Sequence, residues 1–464
     1  MIYQHLFSQA NGGRVVRAGL IGSGHFGTAV ITQSRAIPSL EIPVIADQNL
    51  DAARRAYRQA GVSGEDIVTC DNRRSVMAAM EAGKSVIVAD ANLLMDLPID
   101  VVVESTGVPE AGAHHAHEAI RHGKHVAMIT KETDSVVGPI LKRQADRAGV
   151  IYTPVDGDQH GLLIGLVAWV RTLGLTVVSG GKARDGEFVY DLSAKTVTAG
   201  RRTVTVDERH VWALQPISDG QASRYVQARR DLLAELPQAA GYDLCEMVIA
   251  ANATGLRPDV PPLHAPVVRT CEIPAVLCPQ AEGGILQTTG AIEVVTSFRR
   301  KDEAGLGGGV FVTVSCENDY SRMILTTKGL IANRSDSTAL IYRPYHLCGV
   351  ETPMSILCAG LLNIPTGSAE IEPLVDLVAE TRHDLKTGTV LGNDHSPDLR
   401  ALILPAKPLA DGTPMPLHLM NGRRLKKDVS AGTLIALDMV ERPEDSALWS
   451  LRRQQDAHFF KRAQ

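Results

Sequence analysis

The chain has 464 residues, of which 44% are hydrophobic and 21% charged, and its formal net charge is −5. A chain of this length is too long for one compact core and predicts two or three domains, while the mild acidity argues against a nucleic-acid-binding surface. No apolar run reaches the ~18 residues that span a bilayer, and the first residues lack a signal-peptide pattern, so we expect a cytoplasmic protein.

The first part of the chain alternates short apolar strands with helices. The strand candidates are Val15–Ile21, Ile42–Ala46, Ser85–Val88, Val101–Glu104, His125–Ile129 and Ile151–Pro154. The helix candidates between them are Phe26–Arg35, Leu50–Ala60, Ala91–Met95, Ala111–His122 and Gly138–Ala148. Continuous apolar strands separated by helices predict a parallel sheet that is covered on both faces. The six strand candidates together predict a doubly wound Rossmann domain at residues 1–155.

A glycine-rich turn follows the first strand directly and opens a helix. It comprises Gly22, Ser23, Gly24, His25, Phe26 and Gly27. Gly22 permits the tight turn, Gly24 lets the backbone approach a pyrophosphate, and Gly27 lets helix and strand pack closely. The start of the helix would supply N–H groups and a positive dipole end to the phosphates. The alternative is a structural strand–helix turn without a ligand.

Two further positions are typical of a dinucleotide site. The second strand ends at Asp47, where a carboxylate accepts hydrogen bonds from ribose hydroxyls and repels a 2′-phosphate. No basic residue follows before Arg54, so NAD is favoured and NADP remains possible. Alternatively, Asp47 only caps the next helix. The turn after the fourth strand is predicted to lie near the nicotinamide ribose and comprises Ser105, Thr106 and Gly107.

Lys131 follows the fifth strand, at the edge of the sheet where the nicotinamide is expected. A lysine there is placed to orient the cofactor amide or to polarise a substrate carbonyl. The alternative is an exposed loop lysine.

Beyond Pro154 the pattern predicts two more domains. Strand-like runs at Leu175–Ser179, Gly290–Ser297 and Val310–Ser315, with a helix at Asp243–Ala251, indicate an α+β substrate domain at residues 156–369. Residues 183–235 are polar and are interpreted as an insertion or lid. At the end of the chain, DLKTGTVL (384–391) and DVSAGTLI (428–435) echo each other. This echo predicts repeated β-hairpin elements in a small β-rich domain at residues 370–464.

Seven cysteines occur without CxxC pairs and without a neighbouring histidine at a zinc-site spacing. We interpret all of them as reduced thiols that are mostly buried.

Several segments resemble a known group of oxidoreductases. DVVVESTG followed by GKHVAMITKE resembles the cofactor half of homoserine dehydrogenases and, more loosely, of the glucose–fructose oxidoreductase group. IGSGHFGT, VVVESTGVPEAG, IRHGKHV, YTPVDGDQ, VVSGGK, EMVIAANATGL, PQAEGGIL and IYRPYHLCGVE resemble homoserine-dehydrogenase-like proteins with a C-terminal SAF domain. That group includes type II 1-deoxy-D-xylulose 5-phosphate reductoisomerase-like proteins. The resemblance implies a small β-rich SAF domain at the end of the chain.

The resemblance also implies a set of active-site positions. These are Asp156, Asp158, Gln159, His160, Lys182, Glu246, Asn252, Glu282, Tyr345 and His346. Arg343 and Arg184 are candidate anion clamps. His160 stands where the group usually carries proline, and Asp47 differs from the NADPH use of the reductoisomerase-like members.

Lys182 is our first candidate for the group that transfers the proton, with Asp158 tuning its charge and the two histidines as candidate relays. In the competing assignment Lys131 does this and Lys182 holds an anionic substrate. The reductoisomerase comparison would also imply a divalent ion on Asp156, Asp158, Glu246 and Glu282, although their spacing does not demonstrate a metal site.

Together these features predict an NAD(P)-dependent dehydrogenase or reductase, with NAD favoured. The expected substrate is a small hydroxy or carbonyl compound, such as a sugar-derived acid or phosphate. The alternatives are an NADPH-dependent reductoisomerase-like enzyme, a homoserine dehydrogenase, and a non-catalytic NAD-binding regulatory protein. We expect a homo-oligomer that binds neither nucleic acid nor membranes.

Overall fold

A parallel sheet forms the first part of the protein in the computed structural model, which describes residues 2–218 and 220–460. Its strands are β1 (Val16–Ile21), β2 (Leu40–Ala46), β3 (Ile67–Thr69), β4 (Ser85–Val88), β5 (Val101–Glu104), β6 (His125–Met128) and β7 (Tyr152–Pro154). The helices are α1 (Ile2–Asn11), α2 (His25–Ser34), α3 (Leu50–Gln59), α4 (Arg73–Glu81), α5 (Pro109–Arg121) and α6 (Lys131–Ala148). The sheet order β3-β4-β2-β1-β5-β6-β7 contains the order of a doubly wound Rossmann sheet, extended by β3 at one edge.

Both faces of this sheet are buried, as the apolar runs predict. Val101 and Val103 of β5 pack into the core beneath α2 and α3, whereas Val102 between them packs into the core beneath α5 and α6. All six predicted strands are confirmed. The edge strand β3 and helix α4 escaped prediction because their apolar patterns are short.

Helix α6 begins at Lys131, seven residues before the predicted start at Gly138. A proline directly after a presumed start is typical of the first turn of a helix, but Pro139 lies inside α6. Beside this proline, the buried side chain of Gln455 accepts a hydrogen bond from the Ile140 N–H at 3.2 Å and donates one to the Val136 carbonyl at 3.0 Å. A side chain inserted in this way is a recognised accommodation of an interrupted helix.

A mixed sheet forms the second part. Its strands are β8 (Thr176–Ala183), β9 (Phe188–Asp191), β10 (Thr196–Ala199), β11 (Arg202–Thr205), β12 (Arg257–Pro258), β13 (Val267–Val268), β14 (Ala291–Arg300), β15 (Val310–Ser315), β16 (Ile331–Ala332) and β17 (Ala339–Arg343). The main path runs β11-β10-β9-β14-β8-β15-β17-β16. The helices are α7 (Gln159–Thr172), α8 (Ala222–Leu232), α9 (Gly241–Thr254), α10 (Ile273–Val276), α11 (Asp319–Thr327) and α12 (Thr352–Leu357).

The segment at 183–235, expected to be an irregular insertion or lid, instead continues this sheet through β9, β10 and β11 and adds α8. Phe188, Tyr190 and Val197 form a small apolar core there, with Phe298 of β14. Polar turns separate these aromatic and β-branched residues, so the sequence shows no continuous apolar run that would predict the strands.

The last part contains the antiparallel pair β18 (Val375–Thr381) and β19 (Leu399–Pro405) and the helices α13 (Leu417–Met420) and α14 (Ala447–Phe459). The two echoing segments pair with each other. Leu385 and Val429, which occupy equivalent positions, exchange both backbone hydrogen bonds at 2.8 and 2.9 Å. The Asp384 carboxylate accepts the Ala431 N–H, and Asp428 accepts the Thr387 N–H in the same way. The two similar segments therefore form equivalent halves of one small unit and are related by a local twofold axis.

Residues of all three parts share one apolar core, which includes α6, α9 and β18. The segment around Ile356 and Ala359 also returns to the parallel sheet and joins its other core. The borders at 155 and 369 remain a prediction. Among the described residues, no helix is long and apolar enough to cross a membrane.

Candidate functional site

The glycine-rich turn has the backbone that its sequence predicts. Gly22 has φ +91°, and a Cβ there would lie 2.6 Å from the Ser105 carbonyl oxygen. A Cβ on Gly27 would overlap the Gly22 carbonyl oxygen, whereas a Cβ on Gly24 would meet nothing within 4 Å. The turn is therefore packed against its neighbours at Gly22 and Gly27 and open in front of Gly24, at the start of α2.

Asp47 lies at the end of β2, beside this turn. One carboxylate oxygen accepts the Ser23 N–H at 2.8 Å and the Ser23 hydroxyl at 2.6 Å, and the other accepts the Asn49 N–H. Asn49, not Asp47, caps α3, since its side chain accepts the Ala52 N–H. The helix-capping alternative for Asp47 is therefore wrong.

The turn after β5 is held against the start of α6. The Thr106 hydroxyl donates to the buried Glu104 carboxylate at 2.6 Å, and the Gly107 N–H donates to the Thr130 hydroxyl at 3.0 Å. A cleft of about 320 Å³ opens where this turn, the glycine-rich turn and Lys131 meet. It is lined by Gly24, His25, Phe26, Ser105, Thr106, Gly107, Ile129, Thr130, Lys131, Glu132, Asp158, Gln159, Asp185, Glu246, His346 and Cys348.

Glu246 bridges two lysines at the base of the cleft. One oxygen pairs with Lys131, the first residue of α6, and the other accepts a hydrogen bond from Lys182 at 2.6 Å. Lys182 also lies 3.0 Å from Asp243, one helical turn before Glu246 on α9. The side chain of Lys131 is 22% exposed and that of Lys182 only 2%. Lys131 therefore faces the cleft, and Lys182 lies behind Glu246.

These ion pairs determine the charge states of Lys131, Lys182 and Glu246. Burial favours the neutral amines, but the Glu246 and Asp158 carboxylates raise the pKa of Lys131 above its ordinary value. Against the same burial, Glu246 and Asp243 raise the pKa of Lys182 to about 12. Burial would raise the pKa of Glu246, but the two lysines lower it to about 2. At neutral pH both lysines are cationic and Glu246 is an anion.

Asp158 and His160 lie at the start of α7. The Asp158 carboxylate accepts the Gln159 N–H at 2.8 Å and lies 3.7 Å from the His160 Nδ1. His160 is buried, and its Nδ1 has no hydrogen-bond partner in the part of the chain that the structure describes. Single ligand atoms of Asp158, His160 and Glu246 lie within 4.8 Å of one another.

This cluster does not fit a divalent ion. Both Glu246 oxygens are taken by ammonium groups, whose positive charges would repel a metal at the same place. Of the other carboxylates suggested as ligands, Asp156 and Glu282 do not line the cleft.

Several residues implied by the resemblance lie outside the cleft. Asn252 bonds the backbone of Leu374 and Val375 with both ends of its amide. Glu282 accepts hydrogen bonds from Asn333, Ser337 and Thr338. In this placement neither side chain is available to a substrate in the cleft.

The remaining candidates are divided between the cleft and its surroundings. Gln159 lines the cleft, but its amide donates to the carbonyls of Ala183 and Gly309. His346 lines the cleft as predicted, with its Nδ1 2.6 Å from the Gly308 carbonyl oxygen. The other four candidates do not line it. Arg343 pairs with Glu351 and stacks on Tyr345, Arg184 donates to the Pro237 carbonyl, and Asp156 is half-buried beside Arg343.

Four polar side chains of the cleft were not predicted from the sequence: Thr130, Glu132, Asp185 and Cys348. Glu132 directly follows Lys131, and burial raises its pKa to about 7. Glu132 was not predicted because α6 was expected to begin only at Gly138, which placed Glu132 outside the helix. Asp243 was also missed, although a carboxylate three residues before Glu246 on a helix shares its face.

The family described as "Oxidoreductase DRL, catalytic domain" matches residues 157–352 of this chain. The match includes Asp158, His160, Lys182 and Glu246. Over these residues the chain is similar to an oxidoreductase catalytic domain. The expectation of an enzyme is therefore confirmed, and a non-catalytic binding protein is not supported.

A stretch of 140 residues is 32% identical to the 1-deoxy-D-xylulose 5-phosphate reductoisomerase of Jannaschia sp. (strain CCS1). It covers 29% of this chain and 34% of that protein, so the similarity spans about a third of the relative's length.

Two solved structures show weaker similarity. One is 1-deoxy-D-xylulose 5-phosphate reductoisomerase from Zymomonas mobilis in complex with NADPH, with 16% identity, a TM-score of 0.30, and 51% of this chain and 58% of that chain covered. The other is biliverdin reductase from Synechocystis sp. PCC 6803 in complex with biliverdin and NADP+, with 17% identity, a TM-score of 0.24, and 38% and 47% covered.

Proposed function

We propose that this oxidoreductase transfers a hydride between a nicotinamide cofactor, with NAD favoured over NADP, and a small hydroxy or carbonyl compound. The observation that carries the proposal is that the glycine-rich turn and the cationic end of Lys131 line the same cleft. Turns of this kind bind the pyrophosphate of dinucleotides at the start of a helix. A cofactor bound there would supply or accept the hydride.

Lys131 is the group that we assign to the substrate oxygen. Its raised pKa means that it holds its proton firmly at neutral pH, so it serves as a fixed positive charge. The proton that completes the hydroxyl product then comes from solvent water, and in the oxidation direction it returns to solvent. Such a charge polarises a carbonyl and stabilises the negative charge that develops on the oxygen as hydride arrives. Lys182, which was our first candidate, is buried behind Glu246 and acts as a positioning residue for this bridge.

The preference for NAD rests on Asp47. Its carboxylate is fixed by Ser23 at the end of β2, next to the turn that would hold the pyrophosphate. In Rossmann sheets an acidic residue at this place binds the ribose hydroxyls, and its charge disfavours the 2′-phosphate of NADP.

An NADPH-dependent reductoisomerase-like activity is the second candidate. It is favoured by the 140-residue similarity to 1-deoxy-D-xylulose 5-phosphate reductoisomerase. Against it stand the charge of Asp47 and the two ammonium groups that occupy Glu246.

The test uses the purified full chain. NADH and NADPH binding is titrated by fluorescence, and turnover is followed by nicotinamide absorbance with hydroxy acids, sugar acids, sugar phosphates and 1-deoxy-D-xylulose 5-phosphate. We expect turnover with NADH on a member of the first three classes. Turnover confined to NADPH and 1-deoxy-D-xylulose 5-phosphate would establish the second candidate instead.

The role of Lys131 is tested with the substrate so found. Lys131→Met should lower kcat by about 10²–10³, the loss typical of removing one group that stabilises an oxyanion, with cofactor affinity nearly unchanged. Lys84→Met is the control, because Lys84 does not line the cleft and forms a partly exposed ion pair with Asp66. Retention of turnover in Lys131→Met would refute the assignment.

A further inference from the structure

A second cluster of polar side chains lies outside the cleft, between α9 and the C-terminal part of the chain. It consists of Cys245 on α9, Asp394 in the loop before β19, and His418 on α13, and all three are buried. One ligand atom of each lies within 4.8 Å of the other two, and the His418 Nε2 is 3.7 Å from an Asp394 oxygen. Residues from three distant segments thus converge on one point.

The polar atoms of this cluster lack the partners that buried groups normally have. Neither ring nitrogen of His418 has a hydrogen-bond partner among the described residues, and the same holds for the Asp394 Oδ2. The Cys245 thiol contacts the Lys131 carbonyl oxygen at 3.6 Å and the Ser135 side chain, both of which are weak contacts for a sulfur. A buried imidazole with both nitrogens unpaired indicates that a further partner is accommodated there.

We propose that Cys245, Asp394 and His418 bind a zinc ion. Thiolate, imidazole and carboxylate are the ligands that zinc takes in proteins, and two anionic ligands neutralise its charge. Bonds of about 2.0 Å to nitrogen and oxygen and about 2.3 Å to sulfur separate tetrahedral ligand atoms by roughly 3.3–3.6 Å. The observed spacing, within 4.8 Å, needs a contraction of at most about 1.5 Å, and a water would complete the fourth position.

The electrostatics differ from those at Glu246. In the described part of the chain no lysine or arginine pairs with Asp394, whose neighbours within ion-pair distance are His418 and His395. Burial lowers the pKa of His418 to about 4, so its imidazole is neutral and free to coordinate at neutral pH. Burial raises the pKa of Cys245, so zinc would displace a proton from this thiol.

The position gives the site a structural consequence. Zinc would join Asp394 and His418 of the C-terminal part to α9, at the residue next to Glu246. The same cysteine touches the backbone of Lys131. The ion would therefore stabilise the two elements that carry the cleft-facing ion pair.

Metal binding is tested on the full chain after treatment with a chelator. Cobalt(II), a spectroscopic substitute for zinc, should bind at one equivalent and give a near-ultraviolet thiolate charge-transfer band. The band should disappear in Cys245→Ser and persist in Cys278→Ser. Cys278 is a matched control, since it is also buried and its thiol donates to the Ala275 carbonyl at 3.5 Å. A band that persists in Cys245→Ser would overturn the proposal.

Two further measurements keep the proposal testable if Cys245→Ser or His418→Gln does not fold. Zinc at 100 times its Kd should raise the thermal midpoint of the unmutated protein by about 3 °C. No rise and no cobalt band would mean that the cluster holds water instead. Asp158→Asn should retain the metal, because a loss there would place the ion in the cleft and contradict the site proposed.

Discussion

Replacing Lys182 with methionine tests whether the buried charges behind the cleft stabilise the fold. Methionine keeps the unbranched side chain and removes the ammonium group. The change leaves Asp243 without its cation and Glu246 with Lys131 alone, although both carboxylates are buried. Removing one partner of a buried ion pair costs about 3–5 kcal/mol, because the other charge stays uncompensated.

The expected shift in the thermal midpoint follows from the length of the chain. About 2.1 cal/mol/K of unfolding entropy per residue gives roughly 1 kcal/mol/K for 464 residues. If the chain unfolds as one unit, Lys182→Met should lower the midpoint by about 3–5 °C, measured by calorimetry at pH 7.

A double variant separates charge from packing. Asp243→Asn removes the stranded charge but keeps an oxygen for the Ala240 N–H, which Asp243 accepts at 2.9 Å. In the Lys182→Met background it should restore at least about 1 kcal/mol. A neutral Lys182→Met, or effects of the two changes that simply add, would refute the charge argument.

Three further predictions concern other parts of the chain. We expect the unmutated protein to bind NADH at least about tenfold more tightly than NADPH, or by ~1.4 kcal/mol, and Asp47→Asn should reduce this preference. Both affinities are measured by fluorescence titration, and equal affinities in the unmutated protein would contradict the prediction. Burial raises the pKa of Glu293 to about 8, so the folded state keeps a proton that the unfolded state loses above pH ~4.5, and stability should fall between pH ~4.5 and ~8. Thermal midpoints should show a smaller fall in Glu293→Gln, and an unchanged fall would rule Glu293 out. Gln455→Ala should lower the free energy of unfolding by about 2–4 kcal/mol, because it removes the side chain that bonds the Ile140 N–H and the Val136 carbonyl of α6. The loss should be smaller in a Pro139→Ala background, where the two backbone groups can bond each other within a regular helix. Equal losses in both backgrounds would refute this.

The sequence allowed prediction of the parts that depend on neighbouring residues. The strands of the parallel sheet are continuous apolar runs, and Gly22 to Gly27 carry their conformation in their residue types. Lys131 and Lys182 could not be ranked in this way. Both are lysines that follow or end a strand, and only the packing of α9 between them determines which one faces the cleft.

Other assignments failed because the partners are distant in the chain. Asn252 resembled a substrate ligand within its motif, but it bonds the backbone of residues 374 and 375. Asp394 and His418 carried no motif, since a three-residue cluster with Cys245 has no local spacing to recognise. The resemblance to homoserine dehydrogenases and to a SAF domain stays a prediction.

Helix α9 connects the cleft to the end of the chain. Glu246 projects towards the two lysines, whereas Asn252, near the end of the same helix, accepts the N–H groups of Leu374 and Val375 at 2.9 Å. The helix is buried along nearly its whole length, so it cannot shift without disturbing one of these contacts. A change that displaces β18 should therefore move Glu246, and with it the charge on Lys131 that we assign to the substrate. The C-terminal part thus supports the cleft through α9, although none of its residues up to 460 lines the cleft.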